Sequence, residues 1–411
     1  MEMTPGYKQT DAGVIPDDWD VKQLGELSSV SAGGTPSRSN ANYWGGDIPW
    51  ITTTEIDFRL ITESEQFITS IGLKNSAAKL MPAGALLMAL YGQGKTRGKV
   101  GVLGFEAATN QACAAIILKE GYSREYAFHY LASRYDEIRK LSNTGNQENL
   151  NGALVRSIPV LLPPLSEQSA IATALSDVDA LLSSLDALIA KKRDIKQAAM
   201  QQLLTGKTRL PGFEGEWTVK RLDQLANIRS GGTPSTTVSR FWDGGIPWCT
   251  PTDITRLGGG KYLLDTSRQI TSEGLSNSSA ELIPANSVVM TSRATIGECA
   301  INLKPVTTNQ GFKNFVPFED TEVNFLYYLL QTQKQGFIQL CAGSTFLEIG
   351  KTQLAAYKVH LPSTKAEQSA IAEVLSDMDA ELAALEDRRD KTRLLKQGMM
   401  QELLTGKTRL V

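Results

Sequence analysis

The stretch EQSAIATALSDVDALL at 167–182 recurs as EQSAIAEVLSDMDAEL at 367–382, at an offset of 200 residues. In both copies the apolar residues step by three and four positions, which is the spacing of a seam along which two α-helices pair. The seam residues are Ile171, Leu175, Val178, Leu182, Leu185 and Ile189 in the first copy, and Ile371, Leu375, Met378, Leu382 and Leu385 in the second. The sequence therefore predicts two long helices of about 40 residues, each roughly 60 Å in length.

The charges along these two predicted helices favour an antiparallel pair. Acidic residues dominate the first half of each helix and basic residues the second half; in the first helix Glu167, Asp177, Asp179 and Asp186 precede Lys191, Lys192, Arg193 and Lys196. A parallel pair would set like charges side by side, whereas an antiparallel pair sets each acidic half against a basic half. The alternative is that the two helices are unrelated and that each packs on its own domain.

Further repeats extend the duplication over the whole chain, always at an offset of 198 to 200 residues. The repeated pairs are SAGGTPS at 31–37 with RSGGTPS at 229–235, YWGGDIPW at 43–50 with FWDGGIPW at 241–248, TNQ at 109–111 with TNQ at 308–310, and LLTGKTRL at 203–210 with LLTGKTRL at 403–410. A period this long indicates a duplicated pair of domains rather than a solenoid. Because TGKTRL both ends the chain and leads into the second half, the two ends of the chain are expected to lie close together.

The distribution of residue types along the sequence predicts an α+β fold made of four segments. The segments are a strand-rich domain at 1–162, a spacer helix at 163–210, a second strand-rich domain at 211–362 and a second spacer helix at 363–411. Within the domains, short apolar runs bounded by turn residues, such as 85–90 and 288–290, indicate strands. Helices are predicted around 124–140 and 324–335.

The ends of the long helices carry their own signals. Gly206 and Gly406 stand where the C terminus of a helix favours a left-handed residue. Thr364 and Glu367 have the spacing of a capping box at the start of the second helix. These signals predict where each helix begins and ends.

Composition excludes several classes of protein. Lys and Arg number 42 and Asp and Glu number 44, so the chain lacks the basic excess of a simple DNA-binding domain. With His129 and His360 as the only histidines and four cysteines in no C-x-x-C pair, no metal site is predicted. No apolar run approaches the roughly 18 residues of a membrane span, and the first residues lack the pattern of a signal peptide. We therefore expect a cytoplasmic protein with reduced thiols.

Taken together, the repeated motifs resemble the specificity (S) subunit of type I restriction–modification systems. The resemblance rests on GGTPS…YWGGDIPW at 33–50, GGTPS…FWDGGIPW at 231–248 and the helix openings at 163–182 and 361–382. It implies two similar target-recognition domains separated by two long helices that form an antiparallel coiled coil. Each domain would read one half of a bipartite asymmetric DNA target, and the helices would set the spacer between the halves.

The same resemblance implies that partner subunits carry the chemistry. Two modification (M) subunits would dock on the helices and methylate adenine with S-adenosylmethionine, and restriction (R) subunits would add ATP-driven translocation and Mg²⁺-dependent cleavage. The chain itself would bind double-stranded DNA and no membrane, and it would hold no catalytic residue and no cofactor. In agreement, the sequence contains no N/D-P-P-Y/F methylation motif and no convincing nuclease constellation.

Basic, amide and hydroxyl side chains in glycine-rich loops are the predicted DNA contacts. Glycine lets the backbone approach phosphates, and Arg, Asn and Gln pair well with base edges in the major groove. The candidates are Arg38, Lys95, Arg97, Lys99, Asn146 and Gln147 in the first domain, and Arg240, Arg293, Thr295, Lys313, Ser344 and Thr345 in the second. Because GGTPS and IPW agree between the copies whereas these loops differ, the two domains should read different half-sites. A solvated hairpin or an ordinary turn is the alternative for each loop.

Other repeated residues are predicted to support the fold. The tryptophans at 44, 50, 242 and 248 are expected in the core rather than stacked on bases. Asn110–Gln111 and Asn309–Gln310 are identical in both copies, so they are expected to brace the domain rather than to discriminate sequence.

Two alternative functions stay open on the sequence alone. ALYGQGKT at 89–96 fits a relaxed P-loop pattern, which would suggest a nucleotide-binding enzyme. The corresponding place in the second copy, MTSRAT at 290–295, lacks that pattern. The other alternative is a scaffold that uses its two similar domains to bridge proteins without DNA.

Overall fold

The computed structural model describes residues 5–92, 94–141, 149–341 and 348–410. The chain divides into two compact units: unit 1 comprises Met1–Asp186 and Asp387–Val411, and unit 2 comprises Ala187–Glu386. Each unit contains one strand-rich domain together with one half of each long helix. Both units are therefore built from the same two parts, a strand-rich domain and a pair of helix halves.

Short strands and short helices build the strand-rich domain of unit 1. The strands are β1 (Tyr7–Thr10), β2 (Gly13–Pro16), β3 (Asp20–Gln23), β4 (Ser28–Ala32), β5 (Trp44–Ile51), β6 (Leu60–Ile61), β7 (Phe67–Ile68), β8 (Leu80–Met81), β9 (Leu86–Ala89), β10 (Val100–Leu103), β11 (Ala107–Thr109), β12 (Cys113–Leu118) and β13 (Pro159–Leu162). The helices are α1 (Leu24–Leu27), α2 (Ser70–Lys74), α3 (Arg124–Ser133), α4 (Tyr135–Lys140) and α5 (Gly152–Arg156), and the long helix α6 (Leu165–Leu203) follows.

A five-stranded sheet with the order β4-β12-β9-β10-β6 forms the centre of unit 1, and a four-stranded sheet has the order β7-β5-β11-β8. The five-stranded sheet is antiparallel except for the pair of β10 with β6. Strand β9 is buried on both faces, because Leu86 and Met88 lie in one core cluster with α3 while Leu87 and Ala89 lie in another. A strand with two buried faces is apolar at every position, which is why the run at 85–90 predicts it.

Unit 2 repeats this arrangement with some differences. Its strands are β14 (Thr218–Arg221), β15 (Ala226–Ser230), β16 (Trp242–Cys249), β17 (Tyr262–Leu263), β18 (Arg268–Ile270), β19 (Ser287–Thr291), β20 (Cys299–Asn302), β21 (Thr307–Thr308), β22 (Phe312–Pro317) and β23 (Lys358–Leu361). Its helices are α7 (Pro251–Arg256), α8 (Ser272–Ser276), α9 (Val323–Thr332), α10 (Lys334–Leu340) and α11 (Lys351–Ala356), followed by the long helix α12 (Lys365–Leu403). The central sheet, β15-β22-β19-β20-β17, matches that of unit 1 strand for strand, and a smaller sheet has the order β18-β16-β21.

The long helices α6 and α12 contain 39 residues each and pack antiparallel within each unit. In unit 1, the first half of α6 pairs with the second half of α12 through Lys396–Asp179 at 2.6 Å and Arg393–Asp186 at 3.3 Å. In unit 2 the two helices exchange roles, and the ion pairs are Lys192–Glu381 at 2.6 Å, Lys196–Asp379 and Arg193–Glu386. The antiparallel prediction is therefore confirmed within each unit, in place of two unrelated helices.

Burial along the predicted seam is uneven. Ile171, Leu175, Leu185, Ile189, Ile371, Leu375 and Leu382 are buried, whereas Val178, Leu182, Met378 and Leu385 are half-buried. Ile171 and Leu175 also belong to the core of the strand-rich domain in unit 1, and Ile371 and Leu375 to that in unit 2. The first turns of each long helix therefore anchor a domain as well as contribute to the helix pair.

The buried carboxylate of Glu367, near the start of α12, departs from the expected capping box. The backbone N–H of Glu367 donates to Thr364 Oγ1 at 3.3 Å, as predicted. The Glu367 carboxylate, however, binds Arg209 and accepts from Trp217 Nε1 at 3.2 Å instead of reaching back to the cap. A carboxylate that is 3% exposed requires a compensating charge, and the arginine of the TGKTRL repeat supplies it.

Glu167 in unit 1 makes the equivalent contacts. Arg409 binds its carboxylate at 2.7 Å, and Trp19 Nε1 donates to it at 3.0 Å. Arg409 also pairs with Asp18 at 2.7 Å, and this hydrogen bond lowers the pKa of Asp18. Residues near both ends of the chain thus meet within unit 1, as the TGKTRL repeat predicts.

A buried histidine lies where α3 meets the helix pair of unit 1. His129 Nε2 lies 3.1 Å from Ser176 Oγ, and Nδ1 lies 3.9 Å from the Asp179 carboxylate. Burial, assisted by the positive charge of Lys396, lowers the pKa of His129 to about 4. In unit 2 the repeat places Tyr328 at this position.

The predicted helices around 124–140 and 324–335 are each divided in the structure. Arg134, with φ −96° and ψ 14°, separates α3 from α4, and Gln333, with φ −90° and ψ 1°, separates α9 from α10. These dihedral angles lie in the bridge region rather than the α region, so each helix ends there and a second one starts.

The helices in the described part of the chain are too short or too polar to cross a membrane. The four cysteines are buried and free of disulfides. Burial raises the pKa of Cys113, Cys249 and Cys299, which keeps these thiols protonated.

Candidate nucleic-acid interface

In unit 1, three turns meet at one end of the five-stranded sheet. The GGTPS turn follows β4, the TNQ turn precedes β12, and the loop at 91–99 joins β9 to β10. Backbone hydrogen bonds connect them: Gly34 N–H donates to Thr109 O at 2.8 Å, and Leu90 N–H donates to Ala112 O at 2.7 Å. The pairing of these strands therefore brings the predicted contact segments together.

Both glycines of the GGTPS turn are required by close packing. A Cβ atom on Gly33 would lie 2.1 Å from Thr109 O, and one on Gly34 would lie 2.3 Å from the backbone of Ala77. In unit 2 a Cβ atom on Gly231 would lie 1.8 Å from Asn309 O. Contacts this short exclude any side chain, so the glycines of this motif have a structural role.

The TNQ motif braces the same turn in both units. Asn110 Oδ1 accepts from Ala112 N–H at 3.1 Å, and Gln111 Oε1 accepts from the Thr35 hydroxyl. The unit 2 counterparts are Asn309 Oδ1, which accepts from Gly311 N–H at 2.9 Å, and Gln310 Oε1, which accepts from Thr233. These bonds agree with the prediction that the motif supports the domain.

The repeated tryptophans form an edge-to-face pair in each unit. The ring centroids are 5.0 Å apart for Trp44 and Trp50 and 4.9 Å apart for Trp242 and Trp248. The inner members, Trp50 and Trp248, are 2% and 4% exposed. Each indole N–H donates to a carbonyl of the GGTPS turn, at Ser37, Gly34, Ser235 and Gly232. Trp242 is also buried, whereas Trp44 is half-buried, so three of the four tryptophans lie in the core as predicted, and all four tie the strand to the turn.

The loop at 91–99 presents its three basic residues in three different ways. Lys95 is exposed. Lys99 pairs with Asp57 at 2.6 Å, and its side chain is 22% exposed. Arg97 is 8% exposed, so in this structure it does not present its guanidinium to a ligand in solvent.

Two side chains from α4 hold this loop. The Tyr135 hydroxyl donates to the carbonyl of Lys95, and Arg139 donates to the carbonyl of Gly94 and, at 3.0 Å, to the Tyr135 hydroxyl. Sequence patterns do not indicate these residues, because they lie some 40 positions away from the loop that they support. They hold the backbone at Gly94 and Lys95, and both side chains are half-buried.

At the corresponding end of the five-stranded sheet in unit 2, one acidic residue, Glu348, lies between two basic side chains. Arg293 pairs with Glu348 at 2.9 Å, and Lys313 lies 4.0 Å from the same carboxylate. Lys313 is 5% exposed, and burial lowers its pKa, an effect that the charge of Glu348 opposes. Arg293 and Thr295 are exposed, whereas Lys313 faces into the domain.

Arg240 lies outside this cluster, directly before β16. Arg240 pairs with Glu273 at 2.7 Å and is 70% exposed. Asn146, Gln147, Ser344 and Thr345 lie outside the described residues. Their described neighbours adjoin the loops, since Leu150 N–H donates to Leu90 O at 3.0 Å and Ile349 N–H donates to Ser292 O at 3.0 Å.

The geometry does not favour the P-loop alternative. A P-loop binds phosphate at the N terminus of the helix that follows it, whereas ALYGQGKT is followed by strand β10. Within the ranges that the structure describes, no group of three or more His, Cys, Asp or Glu side chains could hold a metal ion. The exposed basic side chains at this end of the sheet are Lys95 in unit 1 and Arg293 in unit 2, and the carboxylates of Asp57 and Glu348 lie beside these loops.

Comparison with known families identifies one model that covers most of the chain. The model for the type I restriction modification DNA specificity domain matches twice, at residues 16–192 and 214–394. The two matches correspond to the two copies of the repeat.

Curated relatives match either the whole chain or a part of it. The putative type I restriction enzyme MjaX specificity subunit of Methanocaldococcus jannaschii is 22% identical over 424 residues, which is 98% of this chain and 97% of that protein. The MjaIX specificity subunit of the same organism is 36% identical over 166 residues, or 40% of this chain and 38% of that protein. The EcoR124I/EcoR124II specificity subunit of Escherichia coli is 28% identical over 182 residues, or 43% of this chain and 45% of that protein.

Solved structures share the fold along the full length. The S subunit of a type I restriction-modification system from M. genitalium superposes with a TM-score of 0.60 at 15% identity, covering 98% of this chain and 99% of the other. A chain from a study of complex assembly and conformational transition in the type I R-M system gives a TM-score of 0.61 at 18% identity, covering 96% and 99%. At these identities the likeness is one of fold.

Proposed function

The chain belongs to the type I restriction modification DNA specificity family, and from that membership we propose that it is the DNA sequence-specificity subunit of a type I restriction–modification enzyme. Each unit binds one half of a bipartite asymmetric target in double-stranded DNA. The contacts come from the end of the five-stranded sheet at which the GGTPS turn and the loop after β9 meet.

One observation carries this proposal: the two units share a frame and differ in the loops that the frame presents. The glycines, the Trp pairs and the TNQ bonds recur in both units, whereas Lys95 stands in one loop and Arg293 in the other. A common frame with different exposed donors is what two different half-sites require, because base identity is read by the pattern of donors and acceptors.

The long helices set the spacer between the half-sites and dock two modification subunits, and restriction subunits join the complete enzyme. We assign the chemistry to these partners, which bind S-adenosylmethionine, ATP and Mg²⁺; this chain is the non-catalytic component. The chain acts in the cytoplasm, where its DNA target is.

An exchange of domains tests the assignment of one half-site to each unit. Residues 1–162 are replaced by the corresponding domain of a relative with a different target, and the methylated sequence is read from host DNA by methylome sequencing. We expect one half of the target to change and the other half to stay.

The matched control exchanges residues 211–362 instead, and it should change only the opposite half. A change of both halves in either hybrid would contradict the assignment. Loss of all sequence-dependent methylation despite a folded, assembled complex would contradict it as well.

A further inference from the structure

An exposed arginine covers the Trp pair in each unit. In unit 1 the Arg38 guanidinium carbon lies 3.8 Å from the ring centroid of Trp44 and 5.0 Å from that of Trp50. In unit 2 the Arg268 guanidinium carbon lies 3.9 Å from Trp242 and 5.3 Å from Trp248. A guanidinium this close to an indole gains cation–π energy and loses freedom of orientation.

These two arginines reach the same place from different points of the repeat. The position that corresponds to Arg38 in the second copy is Thr236, six residues before Trp242 as Arg38 is before Trp44. Arg268 lies opposite Trp248 on the neighbouring strand, and Gln66 is bonded to Trp50 in the same way. A guanidinium therefore covers the Trp pair in both units, although the arginine that supplies it stands at a different position in each copy of the repeat.

Neither guanidinium is neutralised within the part of the chain that the structure describes. Both arginines are exposed, and no described carboxylate lies within 4.0 Å of either one. Two other exposed arginines among the predicted contacts differ in this respect: Arg240 pairs with Glu273 and Arg293 pairs with Glu348. Each Trp pair therefore presents a flat, oriented fork of N–H donors to solvent.

We propose that Arg38 and Arg268 are equivalent contacts to the phosphodiester backbone of DNA, one for each unit. This inference rests on the proposed DNA binding. Phosphates are the same at every sequence, so a contact that is repeated on a common frame suits the backbone, while the divergent loops suit the bases. Arg268 thereby joins the interface although it belongs to no repeated motif.

Salt dependence separates a phosphate contact from other roles. The variants are R38Q, R268Q and the double variant, each in the full chain assembled with modification subunits, and the probe is a fluorescent duplex of fixed sequence. Each single variant should reduce the slope of log K against log [salt] by about one, and the double variant by about two. The advantage of the parent over a single variant should then grow about eightfold for each tenfold dilution of salt.

Matched controls remove an exposed arginine that is already paired with a neighbouring acid. R124Q in unit 1 and R221Q in unit 2 lose the same charge, and their partners are Glu125 and Asp223; both should keep the parental slope. R38K and R268K should restore the slope, because the charge returns, but with weaker binding than the parent because the fork is lost. Urea unfolding of every variant shows whether the domain remains folded.

The outcomes distinguish this inference from the proposed function. A parental slope in folded R38Q and R268Q overturns the phosphate contact and leaves the DNA-binding proposal intact. A changed consensus, selected by the variants from a pool of randomised duplexes, overturns it in favour of base contact. If the parent complex itself binds no duplex, both proposals fail.

Discussion

His129 and Tyr328 occupy the same position in the two copies of the repeat, and their pKa values are shifted in opposite directions. The Tyr328 hydroxyl donates to Asp379 Oδ2 at 2.5 Å, and burial together with this bond raises the pKa of Tyr328. His129 is 2% exposed and has a pKa lowered to about 4, chiefly by burial. A neutral imidazole is therefore part of the folded state of unit 1, and its protonation opposes that state.

The sign of the effect on stability follows from the two pKa values of His129. The unfolded chain takes up the proton near the ordinary histidine pKa of about 6.5, whereas the folded chain does so only near 4. Stability is therefore lost as the pH falls through this window, by about 2 kcal/mol from this group at pH 5. His129→Tyr should remove that share of the loss, measured by urea unfolding at pH 7.5 and pH 5.

The parent chain, unfolded in urea at the same two pH values, provides the reference for this measurement. An equal difference in His129→Tyr and the parent would contradict the role of the buried imidazole.

Single residues also show why sequence patterns locate the interface better than they describe it. Lys99 meets Asp57 from 42 residues away, and Lys313 lies on a strand that buries it. Both facts depend on strand pairing, which a basic residue in a glycine-rich or apolar stretch does not reveal. No sequence pattern indicates a role for Arg268, because the ring that it covers, that of Trp242, lies on another strand.

Among the elements, the long helices are the part of the fold that the sequence predicts best. Their seam, their antiparallel direction and their C-terminal glycines follow from residue spacing and charge, which are local properties. Gly206 and Gly406 adopt φ of 72° and 73°, as expected for a left-handed helix end. The capping box failed because Arg209 competes for Glu367, and that contact spans 158 residues.

Two glycines near the end of α12 should respond oppositely to a methyl group. Gly406 has a positive φ, and a Cβ atom there would lie 2.5 Å from Pro16, so Gly406→Ala should destabilise unit 1 by about 1–2 kcal/mol. Gly398 lies inside the helix with nothing within 4 Å of a Cβ atom, so Gly398→Ala should stabilise it by about 0.5–1 kcal/mol. Urea unfolding measures both.

The pair of variants forms its own control, since each adds one methyl group near the C-terminal end of α12. Equal shifts in the same direction would contradict the assigned backbone conformations. A stabilising Gly406→Ala would do so most directly.

At the scale of the whole molecule, each unit takes its helix pair from both halves of the chain. Unit 1 closes with Asp387–Val411, and unit 2 contains the junction at which the first half of the chain ends. The sequence predicts the duplication because a repeat can be recognised whatever the separation of its copies. That each unit contains half of both long helices follows only once the antiparallel direction of the pair is known.

Lengthening the helices tests the proposed spacer function. Seven residues inserted into both helices near 186 and 386 preserve the heptad register and add about 10 Å at 1.5 Å per residue. The spacer of the methylated target should grow by about one to three base pairs at 3.4 Å each, as read by methylome sequencing. A folded, active variant with the parental spacer would contradict the proposal.

The control for this prediction places seven residues in the exposed turn after Glu120, between β12 and α3. That insertion leaves both helices unchanged, so it should leave the spacer unchanged. A spacer that shifts with the turn insertion would show that helix length is not what sets it.

The two arginines on the Trp pairs also record a path of descent. The two copies started as one sequence, yet the first now has arginine at 38 with glutamine at 66, and the second has threonine at 236 with arginine at 268. If the two positions changed one at a time, an intermediate sequence carried both arginines over one Trp pair, or neither. If selection kept a guanidinium there throughout, the doubled state was viable, and a present-day chain should tolerate a second arginine at Thr236 or Gln66.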